Sequence, residues 1–428
     1  LSQDKALLRR VIHLTRMACR MPPPYVAGGW NGLIQQPVGR VWCTLLGLIE
    51  KHIADFGEDD LPLLVGFVEE ASMAEEGDGG YPDGAESMVS VAWSLLPLLD
   101  NFSGRAQQKR LLGVIARFPR CQAARFLAKL SPERDDEEVD DVFDRDDFLE
   151  LIFFGFQGVP SCRDFPAETL AAFLREVTAD PRELDGYQGV GIQQSAMFGL
   201  THDYHRWSHY ASSYNGPFNS LLQFHPDSTL DELIRFVNER TERYATRPIT
   251  NQYLSRPDRV SIELPDDTTV EQWFDRELWT IYRGRTGPVV LQSALMALER
   301  WLLNAAERSP DLLDNLLLKI LAGSNSCALT AVVAAVAAAH PRISRETVFT
   351  LLGSPQSLWM DHYRFALDQT SRPTAFSLPT HDPIRDVFLN ERRIANQQPH
   401  RIRDIETAVF ELQFGPDRER IQKRIDTY

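Results

Sequence analysis

The sequence predicts a mainly α protein, built of degenerate HEAT/armadillo-like helical hairpins in the manner of an α-solenoid, with little β structure. Three observations predict it. From Pro288 to Gly353 apolar residues recur at helical spacing in four successive segments. Ser, Asn, Pro and Gly punctuate those segments where helix starts and stops require them. The connections are only about two to five residues long, which makes successive helices pack largely antiparallel. No repeated motif accompanies the pattern, so the repeat is degenerate and rests on helix and loop length.

Each element follows from local signals. Residues 1–131 read as an N-terminal helical region that opens with the amphipathic run Ala6 to Ile12. Residues 132–150 read as an acidic linker or surface loop, because ten carboxylates and two arginines crowd the fifteen residues Glu133 to Asp147 and repel one another. Residues 151–285 form a mixed helical region around a long irregular segment, 186–218, rich in Gly, His, Tyr, Ser and Asn. Within it, Thr229-x-x-Glu232 and Thr268-x-x-Glu271 have the form of capping boxes opening two helices. The second of these takes in Val270, Trp273, Phe274 and Leu278. Between them Val260 to Leu264 alternates and is bounded by prolines, the best short strand in the chain.

Residues 286–428 form the helical-repeat region. Its first helix begins at Pro288 and ends near Glu307; the second has Ser309 as N-cap, Pro310 at its first position and Gly323 at its end. Asn325 or Ser326 caps the third, which runs to Ala339 before Pro341 and is apolar on nearly every face, so neighbours must cover it on several sides. Ser344 and Thr347 flank the fourth, which stops at Gly353. The chain starts at Leu1 instead of Met and is helix-forming up to Tyr428. It is therefore expected to be an internal segment of a larger protein, with the repeat region continuing beyond residue 428.

Composition narrows the function classes. A chain of 428 residues with 43% hydrophobic and 25% charged residues folds, and divides into several units. A net charge of −15 disfavours general attraction to nucleic acid or to an anionic membrane surface. The five cysteines are scattered without a C-x-x-C pair, as in a reducing compartment. No apolar run reaches the roughly 18–20 residues of a membrane span. A cytoplasmic location is expected.

Few residues suggest chemistry. His202, Asp203, His205 and His209 supply three imidazoles and a carboxylate in eight residues, candidate ligands for a first-row metal. The pattern lacks the glutamate of an H-E-x-x-H helix, and the competing reading is a polar aromatic loop. Gly186 to Gly191 departs from G-x-G-x-x-G, and no G-x-x-x-x-G-K-[ST] is present. No cofactor is expected in this segment. Trp279, Tyr282, Arg283 and Arg285 pair aromatics with cations and can stack on or clamp a partner, the alternative being a helix end whose Trp packs inward. Arg401 and Arg403, with Asp404 and Glu406 nearby, are either a partner site or ion-paired helix surface.

The stretches Leu278 to Gly284, Leu295 to Leu303 and Pro399 to Glu406 resemble helical regions of very large bacterial STAND-like ATPases, several of which act in antiviral defence. The resemblance covers about a third of the chain and includes no catalytic motif. It implies a sensor or scaffold portion of such a protein, with ATP handled elsewhere in the parent chain. The expected function is thus a helical scaffold or sensor that recognises a protein partner or connects catalytic modules. The alternative is a metal-dependent enzyme using the histidine cluster at 202–209.

Overall fold

The computed structural model describes residues 2–20, 40–73, 81–99, 104–131, 142–178, 190–201, 210–247, 256–370 and 383–426. Among these the fold is mainly α, with one two-stranded antiparallel sheet, and the hairpin packing is solenoid-like. No described helix is long and apolar enough to cross a membrane. The chain divides into two compact units, Leu1–Ala172 and Phe173–Tyr428.

The first unit contains α1 (Ser2–Arg20), α2 (Arg40–Lys51), α3 (Leu61–Ala71), α4 (Ala85–Leu95), α5 (Arg105–Arg117), α6 (Ala123–Leu130), α7 (Val142–Phe154), α8 (Val159–Asp164) and the start of α9 (Pro166–Val177). Helices α3, α4 and α5 pack on one another, with α1 against α3, α2 against α4 and α7 against α5. Leu64, Val65, Phe67, Val89, Leu111 and Ile115 are fully buried among them, and Trp42 stacks on Phe67 with ring centroids 4.3 Å apart. Residues 132–141 of the acidic stretch lie outside the described residues. From Val142 onward the stretch is helix α7, not linker or loop, because it finds basic partners: Asp147 is buried between Arg105 Nε at 2.9 Å and Lys109 Nζ at 3.1 Å.

The second unit contains the rest of α9, then α10 (Val190–Met197), α11 (Phe218–Phe224), α12 (Pro226–Thr246), β1 (Asp258–Glu263), β2 (Thr269–Phe274), α13 (Arg276–Thr280), α14 (Val289–Arg308), α15 (Pro310–Gly323), α16 (Cys327–Ala339), α17 (Arg345–Leu352), α18 (Pro355–Thr370), α19 (Pro383–Ala395), α20 (Ile405–Leu412) and α21 (Arg418–Ile425). Helices α14 to α17 have the boundaries their start and stop signals predict, and each packs against the next. The Ala- and Val-rich α16 is the central element, with every residue from Cys327 to Ala338 buried. Its small side chains let α13, α14, α15, α17, α18 and α20 all reach it. Ser326 caps it, accepting from the Ala328 amide at 3.2 Å.

Two local expectations differ from the structure. The segment from Thr268 is strand β2, not a helix, paired antiparallel with β1 so that Ile262 faces Val270 and Val260 faces Gln272. Val270, Trp273 and Phe274 fit helical spacing, but Gln272 and Phe274 alternate as well, and a turn through Asp267 lets the preceding strand pair with them. Thr229 is likewise no cap. Helix α12 starts three residues earlier at Pro226, and the Thr229 amide donates within it to the His225 carbonyl at 3.1 Å. The first amides of α17, which starts and stops where expected, are served by Asp314 of α15, which accepts from Glu346 N and Thr347 N at 3.0 Å each. The irregular segment 186–218 holds helix α10 and an ordered turn region from Tyr210.

Candidate functional site

Helix α18 organises the group of residues that most resembles a site, because its two faces carry different chemistry. Asp361, Arg364 and Asp368 recur at i, i+3 and i+7 and point inward, each at most 3% exposed. Trp359 and Tyr363, four residues apart, lie on another face, and Trp359 is half exposed.

The inward face meets a buried ion network. Arg364 binds Asp361 through Nε at 3.0 Å and Nη2 at 2.8 Å, and its remaining donors reach the carbonyls of His400 at 3.0 Å and Arg403 at 2.7 Å. Asp361 in turn accepts from the Ile405 amide at 2.8 Å, which fastens α18 to the start of α20. Arg283 binds Asp368 through Nε at 3.1 Å and Nη2 at 2.9 Å, and also donates to Asn396. Arg401 binds Glu299 of α14, while His400 Nε2 stands 3.2 Å from the other oxygen of that carboxylate. Arg392 of α19 donates to the Arg283 carbonyl at 2.9 Å.

Burial dominates the titration of these groups. It pushes His400 down to about 4, helped by the adjacent Arg401 charge, so the imidazole is neutral near pH 7. Burial opposes ionisation of Glu299, but Arg401, His400 and Arg283 together outweigh it and hold the carboxyl well below the usual range. Asp361 is raised by burial in spite of Arg364, and Arg392 is pushed down to about 10 by burial and by Arg283. Four arginines and the carboxylates of Glu299, Asp361, Asp368 and Glu391 thus sit together inside the second unit. Such an arrangement costs desolvation and gains it back only with near-complete pairing, so it specifies one packing more than it adds stability.

The structure brings several candidate partner-binding residues together, but inside the protein. Trp279 and Tyr282 are fully buried, and Arg283 and Arg401 are at most 2% exposed, so none of the four is presented to a partner. Trp279 packs inward near Phe274, and Arg401 lies over the Tyr282 ring at 5.6 Å. Arg285 keeps a fifth of its side-chain surface and donates to the Leu367 carbonyl; Arg403 is partly exposed, 3.5 Å from Glu411. His202, Asp203, His205 and His209 lie outside the described residues.

Residues not singled out in the sequence form the exposed group. Trp359 and Tyr363 stack with centroids 6.1 Å apart and planes 15° apart, and the guanidinium of Arg276 lies 4.8 Å and 5.1 Å from the two rings. Their i, i+4 spacing in α18 was the available signal; the approach of Arg276, at the start of α13, had none. Phe410 and Phe414, 62% and 76% exposed, make a second aromatic pair at the end of α20. The cysteines offer no activated thiol among the described residues: burial pushes Cys121 and Cys162 up to about 12, the reverse of what a nucleophile needs.

No family model matches the chain, and no curated protein matches it in sequence.

Proposed function

We propose that the chain is a helical scaffold or sensor segment that recognises a protein partner or joins modules of a larger assembly. The observation that carries this reading is the exposed stack of Trp359, Tyr363 and Arg276. Trp, Tyr and Arg are the residue types that dominate interface energetics, and a rigid, half-exposed Trp loses little side-chain entropy on being covered. The interior charges support the same reading, since the strongly perturbed groups of the second unit are engaged with one another and not aimed at a substrate. On this reading the chain acts through contact, and the proposal that follows from the resemblance to STAND-like ATPases is that nucleotide chemistry and any role in antiviral defence belong to the parent assembly.

The test is a photo-crosslinking amino acid installed at Trp359 in cells. A discrete crosslinked partner at Trp359, absent when the probe replaces the exposed Lys319, is expected. Equal crosslinking at both positions, or none at Trp359, overturns the reading. Calorimetry gives a second arm, in which the purified chain shows no magnesium-dependent ATP binding. Tight binding by a monomer would contradict the proposal.

A further inference from the structure

We propose that His362, Asp404 and Glu406 form a site for a divalent first-row transition ion that clamps α18 to the start of α20. The inference stands independently of the scaffold reading. His362 comes from α18, while Asp404 and Glu406 flank the first residue of α20, so the fold unites donors 42 residues apart. His362 Nδ1 lies 3.1 Å from Asp404 Oδ2 and 4.0 Å from Glu406 Oε2, and all three donor atoms fall within 4.8 Å of one another. An ion bound at about 2.0–2.2 Å separates its ligands by roughly 3–4 Å, so the observed cluster needs only small side-chain rotations to close on it.

Asp404 is the fixed member. Its side chain is 6% exposed, and its Oδ1 accepts from the Thr407 amide at 2.9 Å and the Thr407 hydroxyl at 2.6 Å, which leaves Oδ2 turned toward the imidazole. A ligand held this way by an outer hydrogen bond loses little freedom on binding. His362 and Glu406 are 56% and 59% exposed, so they can adjust, and water can complete the coordination sphere. One imidazole and two carboxylates suit Zn2+, Co2+ or Mn2+; they are too few oxygens for Ca2+. The consequence reaches both faces of α18. Asp361, adjacent to His362, already ties α18 to the Ile405 amide, and Tyr363 on the other side belongs to the exposed aromatic stack. A bound ion would therefore fix the helix that presents that stack.

The experiment titrates the metal-free chain with ZnCl2 by calorimetry and follows melting with and without the ion. His362→Ala and Glu406→Gln alter exposed side chains and preserve the Asp404 cap, so their folding can be verified by circular dichroism. A paired His205→Ala/His209→Ala variant separates this site from the histidine cluster at 202–209. Expected are a saturable Zn2+ site retained in the paired variant, a melting temperature higher by about 5 °C at one hundred times Kd, loss of that site in His362→Ala, and affinity at least about tenfold weaker in Glu406→Gln. Absence of saturable binding overturns the proposal. So does Zn2+ binding that persists unchanged in His362→Ala, or that disappears only in the paired histidine variant.

Discussion

Arg283, Arg364 and Arg401 of the second unit are each tied to a specific buried carboxylate, and removing one partner strands the other in a medium that solvates charge poorly. Arg364→Met leaves Asp361 without its bidentate partner and frees the carbonyls of His400 and Arg403. A loss of about 3–5 kcal/mol is expected, measured by chemical denaturation; a loss below about 1 kcal/mol would show that the network is not structurally required. His400 gives a pH signature. Its folded value is depressed to about 4 from the ordinary 6.5, so the unfolded chain takes up the proton first as the pH falls. The stability this residue contributes is complete above about pH 6.5 and drains away between there and about 4. Denaturation curves at pH 7 and 5 should therefore differ more for the wild type than for His400→Gln, and an equal difference would contradict the assignment.

At the scale of elements, the β-hairpin and the central helix make the sharpest predictions. The hairpin turns through Pro265, Asp266 and Asp267, with the Leu264 amide donating to Thr268 O at 2.8 Å and Asp267 N to Leu264 O at 3.1 Å. Asp267 holds φ at 62°, a left-handed conformation that costs less for glycine. Asp267→Gly should raise stability by about 0.5–1 kcal/mol, less the entropy glycine adds to the unfolded chain. A neutral or negative change would mean that the turn tolerates Asp at no cost. Helix α16 makes the opposite point. Ala335 is fully buried in a helix whose neighbours cover it on several sides. Ala335→Asp places an unpaired carboxylate there and should destabilise by more than about 4 kcal/mol; an unchanged melting temperature would place that face at the surface.

At the scale of the whole chain, each compact unit has its own core: Leu64, Phe67, Val89 and Leu111 in Leu1–Ala172, and α16 with its neighbours in Phe173–Tyr428. Separate cores of this size unfold as separate cooperative blocks. Scanning calorimetry should resolve two transitions, and Ala335→Asp should lower only the one that belongs to Phe173–Tyr428. A single transition displaced as a whole by that substitution would show one cooperative block.

The predominance of helix, the boundaries of α14 to α17 and the burial of α16 could be read directly from residue order. Each rests on interactions within a few residues: apolar spacing, Ser326 at an N-cap, Pro310 at a first turn, Gly353 after a last one. The strand at Thr269–Phe274 could not, because Val270, Trp273 and Phe274 satisfy a helical period as well as a strand, and the choice was made by pairing with β1. Nor could the fate of Arg283 and Arg401. Their type and spacing are the same whether they face a partner or a buried carboxylate, and only the packing of α14, α18 and α19 brings Glu299, Asp368 and Asn396 to them. The cluster of His362, Asp404 and Glu406 and the approach of Arg276 to Trp359 also join residues far apart in the chain, and such meetings are decided by tertiary structure because no local interaction records them.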